Sequence, residues 1–270
     1  MNPILVAILL GLLQGVLEWI PVSSEGGVAL ASTVATGVSP AAATRLALFL
    51  HAGTAVAATA YYRTEVRTIL HSIRQLSRRP FADETADLSF IVIATLATAV
   101  TGLPAYMALD AAVSELKGGL FLALVGGLLV VTGLLQRFAA ALSLGEREIP
   151  NWIDAVLVGV LQGLAILPGV SRSGTTVSAL LLRGHEGESS LRLSFLLSIP
   201  AALAANALVL VDDGVPAIEP LPAVVALAVS ALVGYLTVDA LVRLVRQVPF
   251  WAVCTVFGGF GVVGGLLVAL

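Results

Sequence analysis

The chain has 270 residues, of which 58% are hydrophobic and 11% charged, with a net charge of −3 and a mean hydropathy of +1.01. That composition excludes a soluble domain and marks an integral membrane protein. The single cysteine, Cys254, excludes an internal disulfide. No basic stretch precedes the first apolar run, so that run is expected to stay in the mature protein.

The first apolar region, residues 3–37, does not read as a simple span. Its stretch LLQGVLEWIPVSSEGG, residues 12–27, holds a carboxylate, Glu18, and then breaks at Pro21 into serines and glycines. A charge near a bilayer centre costs about 2.5–3.5 kcal/mol on insertion scales, so function is its first reading. Crossing a hydrocarbon core takes about 20 apolar residues. Three stretches qualify next, near residues 41–62, 88–108 and 118–136. A second broken region, residues 152–184, carries LQGLAILPGVSRSGTT at 161–176 and is cut at Pro168 and Gly169. Three further spans follow, near 191–211, 221–242 and 250–270.

Both broken regions read Leu-Gln-Gly, then Pro, then a Ser/Gly turn. Irregular backbone at membrane depth is tolerated only inside protein or beside a water-filled cavity, so each is expected to be a re-entrant helix pair. The expected fold is therefore an all-α polytopic membrane protein in one membrane domain, with six transmembrane helices and two re-entrant pairs. Each half, 1–137 and 150–270, has one pair and three spans. Three is odd, so the second half starts on the opposite face, and the two form inverted-topology repeats whose loops meet near the midplane.

Eleven of the fourteen basic residues fall on one face under this topology: Arg63, Arg67, Arg74, Arg78, Arg79, Arg137, Arg147, Arg183, Arg192, Arg243 and Arg246. Lys117, Arg45 and Arg172 are the exceptions. The Arg-rich face is expected to be cytoplasmic in a cell membrane. Asp110, Glu115, Asp212, Asp213 and Glu219 then fall outside, and the first re-entrant pair opens outward. The run from Arg63 to Arg79 reads as a topology determinant near anionic lipid, not as a nucleic-acid site.

Gln14 and Glu18 stand four apart, on one face of the entering half-helix. Beyond Pro21, residues Ser23, Ser24, Glu25, Gly26 and Gly27 begin a returning half-helix whose N-terminus suits an anion. Ser171, Arg172, Ser173, Gly174, Thr175 and Thr176 repeat the pattern and add a guanidinium suited to phosphate oxygens. Together they suggest a pocket for a phosphorylated lipid head group.

At these residues the chain resembles the undecaprenyl-diphosphate phosphatases, also known as bacitracin-resistance proteins. LLQGVLEWIPVSSEG and LPGVSRSGTT carry the resemblance. Weaker matches at LHAGTAVAATAYYR and LSFLLSIPAALAA extend it over nearly the whole chain. It implies hydrolysis of a polyprenyl diphosphate to the monophosphate and inorganic phosphate at the outer face, recycling a lipid carrier for envelope glycan synthesis. It also implies a divalent cation, Mg2+ or Ca2+, with Glu18 and Gln14 as candidate ligands.

Carried over by residue, Ser24 matches the family's nucleophile, Glu18 its second acidic position, Arg172 the phosphate-binding arginine and Gln14 the first acidic position. Ser171, Ser173 and Thr176 match hydroxyls lining the site; Ser23 and Gly174 lie within the same motifs as candidate substrate contacts. Many members have a histidine where this chain has Gly27, and Glu25 is an added carboxylate expected to assist proton transfer or bind metal.

Plainer readings stand beside these. Glu18 and Arg172 can serve as an ion pair joining the loops, and serines in apolar helices serve close packing. His51 reads first as a packing histidine, though it is also the nearest replacement for the missing motif histidine. His71 and His185 read as solvated loop residues. A polyprenyl-phosphate transporter would use the same inverted-repeat pocket. Monomer and homodimer both remain open.

Overall fold

The computed structural model describes residues 2–76, 80–115, 118–142, 145–212, 219–245 and 247–270. Arg78, Arg79, Lys117, Asp213 and Arg246 from the orientation argument lie outside them. The described residues form eleven α-helices and no extended strand. They are α1 (Pro3–Leu17), α2 (Ser24–Thr36), α3 (Pro40–Tyr61), α4 (Arg63–Leu76), α5 (Ala86–Glu115), α6 (Gly118–Leu142), α7 (Trp152–Leu164), α8 (Arg172–Leu182), α9 (Gly187–Asp212), α10 (Pro220–Val245) and α11 (Phe250–Ala269).

Six of these, α3, α5, α6, α9, α10 and α11, are long and apolar enough to cross a membrane. They coincide with the six stretches expected from sequence. The short apolar helices α1 and α7 have 15 and 13 residues and stop where the two sequence breaks begin. The amphipathic α4 was not foreseen. Its Val66 and Ile69 pack under Tyr62 and Ile91, while Leu70 and Ile73 remain exposed.

Each short helix finds its main partner in the other half of the chain: α1 lies along α10, and α7 along α5. The longest contact joins α6 and α11, with Gly119, Gly126 and Gly133 facing α11 so closely that an added Cβ would meet its backbone or side chains. Small residues at such seams let apolar helices approach until van der Waals packing holds them. α3 packs against both α9 and α10. The α1–α2 and α7–α8 breaks are thus enclosed by protein on several sides.

Candidate active site

Capping explains why the helices restart where they do. Ser23 is the N-cap of α2, and its Oγ accepts from the Gly26 N–H at 3.2 Å. Ser171 is the N-cap of α8, accepting in the same way from the Gly174 N–H at 3.1 Å. A serine at this position satisfies one of the four orphan donors of a first turn. The two loops therefore have the same local chemistry although they lie in different halves.

They also touch. The Ser23 Oγ accepts from the Gly169 N–H at 3.0 Å, and a Cβ on Gly26 would meet the Gly169 nitrogen at 2.9 Å. Only glycine permits that approach. Gly169 sits at φ +103° and Ser23 at φ +63°; the second is a left-handed conformation that costs a non-glycine residue about 1 kcal/mol or more. Backbone groups freed by the breaks find partners from the span helices. The Pro21 carbonyl accepts from Gln136 Nε2 at 2.7 Å and from the Cys254 thiol at 3.1 Å. The Gly169 carbonyl accepts from Thr132 Oγ1 at 3.3 Å. This is the compensation that broken backbone requires away from water.

Glu18, just past the end of α1, is the hub. Its Oε2 accepts from Gln14 Nε2 and from Ser24 Oγ, each at 2.9 Å. Its Oε1 is ion-paired with the Arg172 guanidinium, so the carboxylate joins the two halves of the chain. Arg172 also donates to the Ser194 carbonyl at 3.1 Å. A guanidinium has five N–H donors, so capacity for an incoming anion remains.

His51 reaches this cluster from α3. Its Nε2 lies 3.3 Å from Glu18 Oε2 and 3.5 Å from Ser24 Oγ. Its Nδ1 is 2.7 Å from the Ala47 carbonyl. A carbonyl accepts only, so Nδ1 carries a proton, and in the neutral ring the Nε2 lone pair faces Ser24 and Glu18. The packing reading of His51 is thus incomplete: the residue anchors to its own helix and lines the site as well.

A small cavity of about 20 Å3 is bounded by Glu18, Ser23, Ser24, Glu25, His51, Ser171, Arg172 and Ser173 among others. It adjoins one of about 90 Å3 that shares Glu18, Glu25, His51 and Arg172. Glu25 is buried, and its Oε1 makes no hydrogen bond. The Ser171 and Ser173 hydroxyls lie 3.4 Å apart. Seven of the ten expected site residues therefore meet at one place. Three stand back from it. Gln14 is fully buried behind Glu18, Gly174 lies under Gln136, and Thr176 Oγ1 pairs with Ser194 Oγ at 2.6 Å.

Sequence reasoning missed Ser194, Gln136, Thr132 and Cys254, which support the loops from distant helices; of these only Ser194 lies in a stretch that carries the resemblance. It also misplaced two histidines. His71 lies on α4 and is exposed, not in a loop. His185 is not solvated: it is fully buried, its Nε2 3.0 Å from Asp154 Oδ2.

The chain is similar over its full length to a protein of Haloarcula marismortui named undecaprenyl-diphosphatase, 95% identical over 270 residues and covering 100% of both chains. A protein of the same name from Methanothrix thermoacetophila is 39% identical, with 93% of each chain covered. Another from Saccharolobus solfataricus is 32% identical, covering 99% of this chain and 97% of its own. The family model described as bacitracin resistance protein BacA matches residues 7–263. On that match and these identities, the chain belongs to the bacitracin resistance protein BacA family.

Proposed function

We propose that this chain is an undecaprenyl-diphosphatase, a membrane phosphatase that cleaves the lipid diphosphate to the monophosphate and inorganic phosphate. The names of its relatives support the activity. One observation carries the site: Glu18 ties Ser24 of the first loop to Arg172 of the second, beside an open cavity. Such a constellation offers a nucleophile, a proton acceptor and a cation for phosphoryl charge within hydrogen-bonding reach.

In this reading Ser24 Oγ attacks the terminal phosphorus, forming an O–P bond as the bond to the bridging oxygen breaks. The lipid monophosphate leaves with that oxygen. Ser24 turns its one proton from Glu18 Oε2 to His51 Nε2, 3.5 Å away, whose tautomer the Ala47 carbonyl sets, while Glu18 holds Arg172 in place. Arg172 and the first turns of α2 and α8 stabilise charge on the phosphoryl oxygens. His51 gives the Ser24 proton to the departing lipid phosphate; water then breaks the phosphoserine P–O bond, passing one proton to His51, which returns it to Ser24 Oγ as inorganic phosphate leaves. Where other members place their motif histidine, a Cβ on Gly27 would meet only the end of the Leu17 side chain; His51 on α3 serves instead.

Among the described residues no group of three or more His, Cys, Asp or Glu is placed to hold a metal by itself, so a hard divalent cation such as Mg2+ or Ca2+ would be held by one or two carboxylates together with the substrate phosphates. Glu25 Oε1 is a buried oxygen on the cavity wall without a partner, and Glu18 lines the same wall. Gln14 Oε1 is also unpartnered but stands behind Glu18, so Gln14 would assist at one remove. With Glu25 ionised, two carboxylates would stand against one arginine and repel a diphosphate, and a bound cation would supply the missing positive charge.

The fold reading that goes with this function is two inverted repeats, 1–137 and 150–270, in one membrane domain of a cell membrane. Their re-entrant pairs would be α1–α2 and α7–α8, the first opening to the outer face. The matching Ser23/Gly26 and Ser171/Gly174 caps and the exchanged partners, α1 with α10 and α7 with α5, support it. One observation favours a lipid-phosphate carrier as a second reading. A separate cavity of about 180 Å3 reaches Ser173 and Gly174 past Trp19, Leu191 and Trp251.

Purified protein in detergent, given undecaprenyl diphosphate and Mg2+, should release phosphate, and Ser24→Ala and Arg172→Ala should not. No release by the unaltered protein, with lipid transport retained in vesicles, would favour the carrier.

A further inference from the structure

The cavity of about 90 Å3 that shares Glu18, Glu25, His51 and Arg172 with the head-group seat has a second, apolar end. The polar Thr98, Gln162 and Ser198 are also on its lining; its apolar walls are Leu48, Gly102, Ile166, Ala201, Ala202 and Ala205. These come from α3, α5, α9 and the turn that follows α7. α5 packs chiefly on α7, and α9 chiefly on α3, so α5 and α9 face each other with few contacts. Each carries an interior proline near this wall, Pro104 and Pro200, which removes one helical hydrogen bond. On the same turns Leu103, Met107 and Leu203 are exposed on the lipid-facing side.

A row of small residues alone would mean only close packing. Here the small residues line a cavity that also holds two buried oxygens without a partner, Glu25 Oε1 and Gln162 Oε1. Pockets that take amphipathic ligands have this form, apolar walls with a few polar groups at one end. The larger cavity of about 180 Å3 is a poorer route. It touches none of Glu18, Ser24, Glu25 or Arg172, and the Pro21 carbonyl held by Gln136 and Cys254 stands on its wall.

We infer that the isoprenoid chain of the substrate leaves the head-group seat between α5 and α9, past Gly102 and Ala202, and runs out into the bilayer there. This rests on the phosphatase reading and adds a subsite to it. Only the first units of the chain fit within the cavity; the remainder lies against Leu103, Met107 and Leu203 among the lipids. Recognition is therefore of a long, flexible prenyl diphosphate, with the first units selected by the small residues of the portal.

The test measures phosphate release from undecaprenyl diphosphate, with inorganic pyrophosphate as a competing ligand that has a head group and no chain. Ala201→Leu and Ala202→Phe should raise KM for the lipid at least tenfold while leaving the inhibition constant of pyrophosphate within twofold. Ala140 lines the cavity of about 180 Å3, and Ala140→Phe, which fills it, should leave both unchanged. A lipid KM within twofold of the unaltered protein in both portal variants overturns the inference. So does a pyrophosphate constant that rises in step with KM, or a selective loss in Ala140→Phe. Should a bulkier variant fail to fold, Ala205→Leu, a smaller insertion one turn farther along α9, should show the same selective rise in lipid KM, and its absence there overturns the inference equally. If the unaltered protein releases no phosphate from any prenyl diphosphate, the phosphatase reading fails first and is distinguished in that way.

Discussion

Two clusters in this molecule are built from the same parts, a buried carboxylate with arginine and histidine. Around Glu18 stand Arg172, His51, Ser24 and Gln14. Around Asp154 stand Arg147 at 2.8 Å, Arg183 at 2.7 Å, His185 at 3.0 Å and the Asn151 N–H at 3.0 Å. The differences lie in charge balance and open space. Asp154 has two arginines to itself, and neither active-site cavity reaches it. The Glu18 cluster has a second carboxylate, Glu25, and one arginine, with unpartnered oxygens on Glu25 and Gln14 and cavities on its wall. His185 Nδ1 also lacks a partner but borders neither active-site cavity; a carboxylate supplied by two arginines fastens chain segments, and one with a single arginine beside a cavity is prepared for something to arrive.

The widest separation should come from activity. Ser24→Ala removes the attacking oxygen and should lower kcat for phosphate release by about 10³-fold or more. Arg172→Ala should cost about 10²–10³-fold, as loss of a transition-state charge partner does, and Arg172→Lys should restore little because the planar fork is lost. Asp154→Asn should keep kcat within about threefold in folded protein. An Asp154→Asn enzyme as dead as Ser24→Ala would break the distinction between the clusters.

His51→Gln sharpens it from the other side. An amide keeps a polar group near Glu18 but cannot take the Ser24 proton, so kcat should fall by about 10²-fold with KM little changed. Added imidazole should restore part of the rate in His51→Ala. His185→Gln, at the other cluster, should respond to neither measurement. A KM effect in His51→Gln equal to its kcat effect would reduce His51 to a packing residue.

The spans were legible because bilayer thickness sets their length, so composition alone located all six. The first loop was legible because Glu18, Pro21 and Ser24 are adjacent in sequence and each is anomalous in an apolar run. His51 was half legible: LFLHAG places an imidazole in a span, but nothing local shows that the span passes Ser24. Asp154 and His185 were illegible for the same reason. They are 31 residues apart, look like ordinary loop and cap residues, and become a cluster only when α7 and α8 fold back together. The amphipathic α4 was read from its charges alone, and its packed side, Val66 and Ile69, went unweighed.

The Asp154 cluster makes its own prediction about stability. Asp154→Asn removes one charge and leaves Arg147, Arg183 and His185 without their partner. Breaking a buried pair costs about 3–5 kcal/mol, but the arginines here are about a third exposed, so about 1–3 kcal/mol is expected. Burial alone would raise the Asp154 carboxyl; the hydrogen bonds from His185, Arg183 and Asn151 outweigh it and hold the group below its ordinary value of 3.8. A depressed folded value means the stabilisation is complete above the ordinary range and is lost as pH falls through it. The melting-temperature gap between the unaltered protein and Asp154→Asn should therefore be constant from neutral pH down to about pH 5 and narrow only below about pH 4. A gap already closing at pH 6 would show that another group governs the cluster.

The smallest effect is expected at Ser23, which lies in the active loop yet acts as a fastener there. Its Oγ caps α2 and takes the Gly169 N–H, so Ser23→Ala should cost about 1–2 kcal/mol from the lost cap and the stranded donor. The backbone at φ +63° favours glycine. Ser23→Gly loses the same hydrogen bonds but relieves the left-handed strain, so it should melt above Ser23→Ala, although glycine is usually the more destabilising replacement. Both should retain kcat within about threefold once folded, because Ser24 still has Glu18 to orient it. If Ser23→Gly melts at or below Ser23→Ala, the left-handed turn carries no strain worth relieving; if either loses activity as Ser24→Ala does, Ser23 contacts the substrate and the saturated and open parts of the site are not separable there.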